Sequence, residues 1–301
     1  MRKLYIIIVA ALFSGYCYGQ QDPLYAQYLT NPMIFNPAYA GLNNSFNAAV
    51  SFRNQWSGFE GAPSTVNFSA HSSLVDNKVG VGVMFIRDRA GLLKNNELEL
   101  LSAYKLHFDK YTVSFGMQLG FMNSTYRYTD VTLANPNDPA FPTNDIRFSW
   151  PSIGVGAILQ GEQFIVGLSV PRMSKVKGGD TNFLLQSQHL YLYGAYVYYV
   201  GTRLRLKPAV LFRGVKGAPV ATDLNFNINV DTKYSAGVFM RNFKSYGVLV
   251  QAWVLNNKVR FGYAFELPGG SSVGTQFTSH EVTLAVRMAL LKFQDPSFAE
   301  F

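Results

Sequence analysis

Apolar and polar residues alternate along most of the chain after residue 45, as expected for β-strands with two different faces. In the clearest segment, residues 224–230, four apolar residues share one face and three asparagines share the other. A helix would scatter these residues around its axis, whereas a strand sorts them to opposite sides. The same period recurs at 111–121, 258–266 and 278–289, so the pattern predicts an all-β protein.

Fourteen segments follow this pattern, and most have about the 9–11 residues that a tilted membrane-spanning strand needs. We place them near residues 46–56, 65–71, 78–87, 95–108, 111–121, 150–160, 163–170, 188–200, 203–213, 222–230, 234–241, 245–255, 258–266 and 278–289. A secreted β-sandwich also alternates, but it rarely needs fourteen strands of this length. The favoured prediction is therefore a transmembrane antiparallel β-barrel of about 14 strands, spanning residues 46–290.

The predicted connections carry a second signal. Four of them are two-residue turns, at 109–110, 161–162, 201–202 and 256–257. The connections between these turns are mostly longer, at 88–94, 122–149, 171–187, 214–221 and 267–277. Short turns that alternate with long loops are typical of outer-membrane barrels, whose turns are periplasmic and whose loops are extracellular. Because the strand number is even, we expect both chain ends on the periplasmic side.

The composition favours a membrane barrel over a soluble domain. Charged residues make up 15% of the 301 residues and aromatic residues another 15%, whereas a soluble domain carries about 25% charged residues. Only every second residue of a barrel strand must be apolar, which fits a mean hydropathy of +0.05. Trp56, Trp150 and Trp253 lie at or near predicted strand ends, where barrels carry aromatic girdles, although any sheet enriches aromatic residues.

Residues 1–19 have the features of a secretory signal peptide. Arg2 and Lys3 precede an apolar run of about ten residues, and small residues precede a cut before Gln20. The run is too short for a transmembrane helix, which needs about 20 residues, and a lipoprotein signal would require a small residue where Tyr16 stands. If Cys17 leaves with the peptide, the mature chain has no cysteine, which excludes thiol-based redox, metal and nucleophile chemistry.

Two flanking segments lack the strand pattern. Residues 20–45 are interrupted by three prolines, but they are too rich in apolar and aromatic residues to be left in water. We expect this segment to cap the periplasmic mouth, to plug the lumen or to bind a periplasmic partner, and the alternative is a disordered terminus. Residues 291–301 are expected to form a C-terminal tail.

The polar face of the predicted strands should line the lumen, and it carries an excess of basic residues. These are Arg53, Arg203, Arg205, Lys207, Arg213, Arg241, Arg260 and Arg287. They could pass or hold an anionic or polypeptide ligand. Alternatively, they pair with acidic residues of neighbouring strands in a packed interior, as Arg260 and Glu281 could, and we favour this second interpretation.

The sequence lacks the usual motifs of hydrolases, metalloproteases and nucleotide-binding proteins. Ser279, His280 and Glu281 suggest a hydrolase, but adjacent strand residues point to opposite faces, so these three cannot form a catalytic cluster by themselves. We therefore expect no catalytic residues, no metal and no cofactor. The net charge of +8 does not gather into the basic stripe of a nucleic-acid-binding protein, so no nucleic acid partner is expected.

Several sequence blocks resemble the PorP/SprF family, and the resemblance spans essentially the whole mature chain. The blocks are residues 21–23, 27–28, 36–41 (Asn-Pro-Ala-Tyr-Ala-Gly), 53–65, 188–192 and 279–281. Two positions depart from the family pattern, because Gln188 stands where the family usually has Arg and Thr278 stands where it commonly has Gly. Any role of that Arg is therefore not carried over.

The resemblance implies a type IX secretion system outer-membrane barrel of Bacteroidota without catalytic residues. Such proteins assist the export or surface attachment of adhesins that carry a C-terminal sorting domain, and they support gliding. The implied partners are outer-membrane lipid, a secreted adhesin or its sorting domain, and other secretion or periplasmic peptidoglycan-linked components. The alternatives are a solute channel with a basic lumen and a barrel hydrolase.

The loop after the first predicted strand, residues 57–64, is expected at the extracellular mouth. Trp56, Phe59 and Pro63 offer a rigid aromatic contact surface there, of the kind that dominates protein interfaces. Alternatively, Gly58, Gly61 and Pro63 only shape a loop that folds onto the barrel. Both interpretations follow equally well from the sequence.

Overall fold

The computed structural model describes residues 28, 31–131, 142, 144–174, 176–178, 183–269 and 277–295. The expected signal peptide and the last residues of the chain lie outside the described residues. The strands, in chain order, are β1 (Phe46–Asn54), β2 (Ser64–Leu74), β3 (Val79–Ala90), β4 (Leu93–His107), β5 (Tyr111–Tyr126), β6 (Ile146–Gly161), β7 (Phe164–Val170), β8 (Val176–Gly178), β9 (Phe183–Gln186), β10 (His189–Tyr196), β11 (Tyr198–Val200), β12 (Leu204–Val215), β13 (Ala221–Val230), β14 (Tyr234–Arg241), β15 (Ser245–Val254), β16 (Val259–Pro268) and β17 (Ser279–Met288).

The strands form a closed antiparallel barrel. Pairing follows the chain order from β1 to β7 and from β12 to β17, while β10 joins β7 to β12 and β1 pairs with β17. Strands β10 and β11 occupy one position in the wall, because both pair with β12 and only Val197 separates them. The wall therefore has fourteen positions, which confirms the predicted fold class. A closed sheet has no unpaired edge, as a membrane-spanning sheet requires.

The two faces of the wall are reversed relative to a soluble protein. In β13, Leu224, Phe226 and Ile228 are 37–40% exposed, whereas Asn225 and Asn227 are 5% and 6% exposed. A β-sandwich would bury its apolar face and expose its polar one, so the sandwich alternative is wrong. The apolar face is the one that lipid covers in a transmembrane barrel. In the described residues no helix is both long and apolar enough to cross a membrane.

The two ends of the barrel differ in their connections. One end, called the turn end here, carries residues 75–78, 108–110, 162–163, 201–203, 231–233 and 255–258. The opposite end, the loop end, carries the described parts of the longer connections 55–63, 127–145, 171–188 and 269–278, together with short ones at 91–92, 216–220 and 242–244. The alternation of short turns and long loops is therefore less regular than predicted, because the loop end also contains tight turns.

Two loop-end connections are shorter than the sequence predicts. The predicted loop 88–94 is a turn of only Gly91 and Leu92, and β5 and β6 extend to Tyr126 and from Ile146. These stretches are polar, which is typical of loops, yet backbone pairing continues through them. Strand pairing does not require apolar side chains once a strand leaves the hydrocarbon layer. The predicted loop 171–187 also contains the short hairpin β8–β9, whose strands are too short for a period to be recognised.

The described part of the N-terminal segment lies inside the barrel. Residues Pro32–Ile34 and Pro37–Tyr39 form two short 3₁₀ helices, and Met33, Ala38 and Ala40 are 0% exposed. The second helix packs against β4, β5 and β6, and the first helix packs against the second. We call residues 31–45 the lumen segment.

Candidate functional site

Six buried charged side chains, which we call the ion-pair belt, form a continuous series of contacts across one side of the lumen near the loop end. Arg53 contacts Glu266 at 2.7 Å and Glu281 at 3.4 Å, and Arg241 contacts Glu266 at 3.2 Å. Asp223 extends the ion-pair belt, because it lies 3.3 Å from Arg241 and 3.2 Å from Arg213. All six side chains are less than a tenth exposed. Since buried charges need partners, this belt matches the packed-interior interpretation for Arg53, Arg213 and Arg241.

Strand register explains part of this belt. Arg53 lies directly opposite Glu281 on β17, and Asp223 lies directly opposite Arg241 on β14. Directly opposite side chains on one face of a sheet are close enough to pair. Glu266 is different, because its partner Arg53 lies two strands away in the wall. Both contacts of Arg53 form only because the barrel closes between β1 and β17.

Three further predicted basic residues gather at the turn end. Arg260 and Arg287 lie against Trp253, with their guanidinium carbons 5.2 and 4.7 Å from the centre of its indole ring. Lys207 joins them in lining a cavity with a water-accessible volume of about 80 Å³. The cavity lies between this part of the wall and the lumen segment, which contributes Asn31, Tyr39 and Asn43.

The remaining two predicted lumen residues lie elsewhere. Arg205 is half-buried on β12, with its guanidinium carbon 5.7 Å from the ring centre of Tyr199. Arg203 lies in the turn before β12, and its side chain is 74% exposed, so it is not part of the buried set that we expected. Its Nε donates to Asp231 at 2.6 Å. This hydrogen bond and the positive charge of Arg203 lower the pKa of Asp231 below its ordinary value.

Hydrogen bonds fix the lumen segment to the wall. Ser114 on β5 donates to the carbonyl of Ala38 at 2.7 Å, and Ser169 on β7 donates to the carbonyl of Phe35 at 2.6 Å. The backbone N–H of Gly41 donates to His71 Nδ1 at 3.0 Å. These contacts come from several strands, so the segment is an integral part of the interior.

The block at residues 36–41 supplies many of the contacts. The Asn36 side chain accepts from the N–H of Ala38 at 3.0 Å and donates to the carbonyl of Ala157 on β6 at 3.2 Å. A Cβ at Gly116 would lie 2.2 Å from the Ala38 nitrogen, so the wall lacks a side chain where the segment approaches. The structure thus gives the Asn-Pro-Ala-Tyr-Ala-Gly block a packing role.

A second element enters the lumen from the loop end. Arg172, which follows β7, pairs with Glu97 on β4 through two hydrogen bonds of 2.6 and 2.9 Å, and both side chains are buried. Trp150 donates to Gln186 at the end of β9, and both residues are buried. The sequence pattern does not mark Arg172 and Gln186 as interior residues, because they lie in a predicted loop without periodicity.

The loop 55–63 at the loop end, which we call the mouth loop, is held by backbone hydrogen bonds. The N–H of Ser57 donates to the carbonyl of Thr278 at 2.7 Å, and the N–H of Gln55 donates to the carbonyl of Pro63 at 2.9 Å. A third bond of 2.9 Å joins the turn at Gly91 to Gly61. The mouth loop is therefore tied to both neighbouring hairpins.

The three predicted contact residues differ in exposure. Phe59 is 49% exposed and packs edge-on against Phe277, with ring centres 5.5 Å apart. Trp56 and Pro63 are half-buried. Gly58 has a φ of 92°, a conformation that favours glycine. Glycine thus helps to shape the mouth loop, while Phe59 presents an aromatic ring at its surface.

No arrangement typical of an enzyme or a metal site emerges from the described residues. Ser279 and Glu281 are 3% and 1% exposed on the inner face, whereas His280 lies on the other face and contacts Tyr263 at 2.8 Å. The residues 279–281 are thus divided between the two faces, as expected from their adjacency. Within the same residues, no three His, Cys, Asp or Glu side chains gather as metal ligands would.

Comparison with known proteins gives a family and a fold. The family model described as "Type IX secretion system membrane protein PorP/SprF" matches residues 18–286. No curated protein matches the chain. Similar solved structures include a Pseudomonas aeruginosa FadL homologue, with a TM-score of 0.50, 9% identity, and coverage of 91% of this chain and 96% of that one.

Two monoaromatic hydrocarbon channels are similar to the same degree. The TodX deltaS2S3 mutant has a TM-score of 0.52 and 9% identity, and the match covers 85% of this chain and 92% of that one. CymD has a TM-score of 0.50 and 9% identity, with 88% and 92% covered. At these identities the likeness shows the barrel fold alone.

Proposed function

Because the chain belongs to the PorP/SprF family of type IX secretion system membrane proteins, we propose that it assists the export or surface attachment of adhesins that carry a C-terminal sorting domain. In this role it acts as a non-enzymatic outer-membrane scaffold that supports gliding in a member of the Bacteroidota. Its proposed partners are the adhesin or its sorting domain and other secretion or periplasmic peptidoglycan-linked components.

The observation that carries this proposal is the ordered mouth loop. The mouth loop coincides with a block of family-like sequence, residues 53–65. It holds Phe59 half-exposed at the loop end of the barrel, whereas most other exposed aromatic residues lie on the membrane face. A pre-ordered aromatic group loses little conformational freedom on binding. Phe59 is therefore the proposed anchor for the partner, with Trp56 and Pro63 supporting its position.

The proposed orientation places the turn end and both chain termini in the periplasm. The support is the general rule that outer-membrane barrels keep short turns on the periplasmic side and longer loops outside. In this orientation the mouth loop faces the cell exterior, where an anchored adhesin must be held. The signal peptide proposed for residues 1–19 would direct the chain across the inner membrane.

The test is a Phe59→Ala variant, with surface display of a co-expressed adhesin measured by labelling of intact cells. Phe243→Ala is the matched control, because Phe243 is 63% exposed in another loop-end turn, residues 242–244. We expect Phe59→Ala to reduce display several-fold and Phe243→Ala to leave it unchanged, with equal amounts of folded barrel. Equal display by both variants would remove the contact role of Phe59.

A solute channel with a basic lumen is the second candidate, favoured only by the cavity between Lys207, Arg260 and Arg287. The lumen segment and Arg172 occupy much of the remaining interior, which supports a filled barrel over an open pore. Planar-bilayer recording separates the two functions. A scaffold should give no stable large conductance, whereas a stable, anion-selective conductance would favour the channel.

A further inference from the structure

The membrane-facing side of β3–β6 carries a group of basic side chains at the loop end. Arg89 on β3 lies directly opposite Lys94 on β4, Lys94 lies opposite Thr125 on β5, and Thr125 lies opposite Arg147 on β6. Three cations therefore share one row across four adjacent strands. Arg87 lies on the same face of β3, two residues closer to the turn end. We call these four residues the basic row.

The burial pattern shows that the basic row points away from the lumen. Arg87, Arg89 and Arg147 are exposed and Lys94 is half-buried, whereas Ile86 and Glu97, nearby positions of the opposite face, are 2% and 4% exposed. Asp88, between Arg87 and Arg89, is half-buried and accepts a hydrogen bond from Thr65 on β2 at 2.6 Å. Because side chains alternate between the two faces of a strand, the basic row shares its face with the apolar membrane surface.

The apolar surface begins directly below the basic row. Phe85, Leu98, Phe121 and Pro151 form the next apolar row across the same strands, and the first three are 38–53% exposed. Phe85 is four residues from Arg89, which corresponds to about 13 Å along a strand. Headgroup layers add about 5–8 Å to each side of the hydrocarbon core. Because the strands of such barrels tilt by about 35–45°, Arg89 lies about 10 Å and Arg87 about 5 Å above Phe85 along the membrane normal. Arg87 is therefore within the headgroup layer, and the long side chains of Arg89, Lys94 and Arg147, at its outer edge, can reach back into it.

Among the described residues, the four cations of the basic row and Arg127 outnumber the three nearby carboxylates, Asp88, Asp130 and Asp145. Arg89 and Lys94 are direct cross-strand neighbours, an arrangement that is unfavourable for like charges. Arg89 lies 3.7 Å from Asp130, but Asp130 is closer to Arg127, at 2.9 Å. Asp145 accepts hydrogen bonds from Thr129 at 2.9 and 3.2 Å, and the positive charges of Arg127 and Arg147 also contribute to lowering its pKa. An external anion would relieve the repulsion within the row.

The basic row is local to one side of the barrel. On the other described wall strands, the outward positions at the loop end carry no Arg or Lys. Ser64 on β2, Asn54 on β1 and His280 on β17 continue the row, and exposed residues such as Phe212 on β12, Tyr246 on β15 and Leu267 on β16 are apolar or aromatic. A uniform basic girdle would surround the barrel, whereas this group occupies only β3–β6. Its confinement points to recognition of a particular ligand.

We propose that the basic row binds the phosphate groups of a glycolipid in the outer leaflet, while the acyl chains of the lipid lie on the apolar surface below. Guanidinium groups match phosphate oxygens through paired hydrogen bonds, and Lys94 adds a point charge. The site rests on the proposed orientation, in which the loop end meets the outer leaflet. A bound glycolipid would fix the rotation of the barrel relative to its neighbours in the secretion machinery.

The experiment measures lipid binding to the purified full-length barrel in detergent by native mass spectrometry. The probes are phosphorylated lipid A and the same lipid after enzymatic removal of its phosphates. The test variant is Arg89→Gln with Lys94→Gln, and the matched control is Lys110→Gln with Lys258→Gln, two exposed turn-end lysines. Slower gel migration after boiling confirms that each variant is folded.

We expect the test variant to bind phosphorylated lipid A about thirty-fold more weakly than the wild type, since each cation near a membrane surface contributes about a factor of five. The control should bind like the wild type, and dephosphorylated lipid A should bind weakly to all three proteins. Equal binding of lipid A by the test variant and the control would overturn the proposal.

Two competitors distinguish other sources of negative charge. Inorganic phosphate that binds as tightly as lipid A would reassign the basic row to a free anion, and a poly-glutamate peptide that binds more tightly would reassign it to an acidic protein. Either result would overturn the glycolipid site. Adhesin display by Phe59→Ala tests the scaffold function separately, because lipid binding is measured on the purified barrel without an adhesin.

Discussion

Glu266 occupies the centre of the buried ion-pair belt, so we expect the Glu266→Gln substitution to destabilise the barrel strongly. Glu266 contacts both Arg53, at 2.7 Å, and Arg241, at 3.2 Å. The substitution keeps the shape of the side chain but removes its charge. Arg53 would then keep its contact with Glu281, at 3.4 Å, and Arg241 its contact with Asp223, at 3.3 Å.

The expected cost follows from these remaining contacts. Removing one partner of a buried ion pair costs about 3–5 kcal/mol. Both arginines keep a second, longer contact, so we expect a value near the lower limit, about 3 kcal/mol. Removing one of the now uncompensated charges, by adding Arg241→Met to the Glu266→Gln variant, should recover part of this loss.

Reversible urea unfolding in lipid vesicles, followed by tryptophan fluorescence, measures the free energy of unfolding. Glu60→Gln is the control, because Glu60 is an exposed carboxylate in the mouth loop and such substitutions usually change stability by less than about 0.5 kcal/mol. If Glu266→Gln is no less stable than Glu60→Gln, the belt does not stabilise the barrel and the reasoning is refuted.

Two further predictions concern the lumen segment and the loop end. Gly116→Ala should displace the lumen segment, because the new Cβ would lie 2.2 Å from the Ala38 nitrogen; limited proteolysis should cleave this variant faster than Gly214→Ala, whose Cβ has no atom within 4 Å. At the loop end, hydrogen bonds from the backbone and side chain of Thr129 lower the pKa of Asp145. Thr129→Val removes the side-chain hydrogen bond and should therefore raise the pKa of Asp145 towards its ordinary value, as measured by an NMR titration. The remaining hydrogen bond from the backbone N–H of residue 129 to the ionised carboxylate should then be lost at a higher pH on acidification than in the wild type. An unchanged pKa would contradict the assigned cause.

The wall of the barrel was largely predictable from the sequence, because one rule determines most of its positions. Outward residues must suit lipid and inward residues must suit a polar interior, so every strand carries a period of two. Asn225 and Asn227 follow this rule in β13, and the predicted fourteen wall positions are confirmed. Strand ends outside the hydrocarbon layer do not need apolar outward residues, so they lack the period of two. This explains why β5 and β6 are longer than predicted.

The interior was less predictable, because its contacts join residues far apart in sequence. A pair between consecutive strands, such as Asp223 and Arg241, follows from their register, but the contacts of Arg53 with Glu281 and Glu266 both depend on the closure of the barrel between β1 and β17. Arg203 is an arginine like the buried ones, but it stands one residue before the start of β12 and therefore lies in an exposed turn. Residue type and period together could not separate these cases.

The position of the lumen segment was also open. Its apolar composition indicated burial, but a cap, a plug and a partner-binding segment bury the same residues. The deciding feature is the matching gap in the wall at Gly80 and Gly116, where a Cβ would overlap the backbone of Ala40 and Ala38. Small residues at inward positions suggest a close approach, but they do not identify the approaching segment.

The central claim is that the loop end of the barrel holds a secreted adhesin, and in-cell photo-crosslinking tests it most directly. A photo-crosslinking phenylalanine analogue would replace Phe59 in the mouth loop, with Phe243 and the turn-end residue Lys110 as control positions. We predict that the Phe59 position crosslinks to the C-terminal domain of an adhesin and that the two controls do not. Adhesin crosslinks from Lys110 alone, or from none of the three positions, would contradict the proposed function.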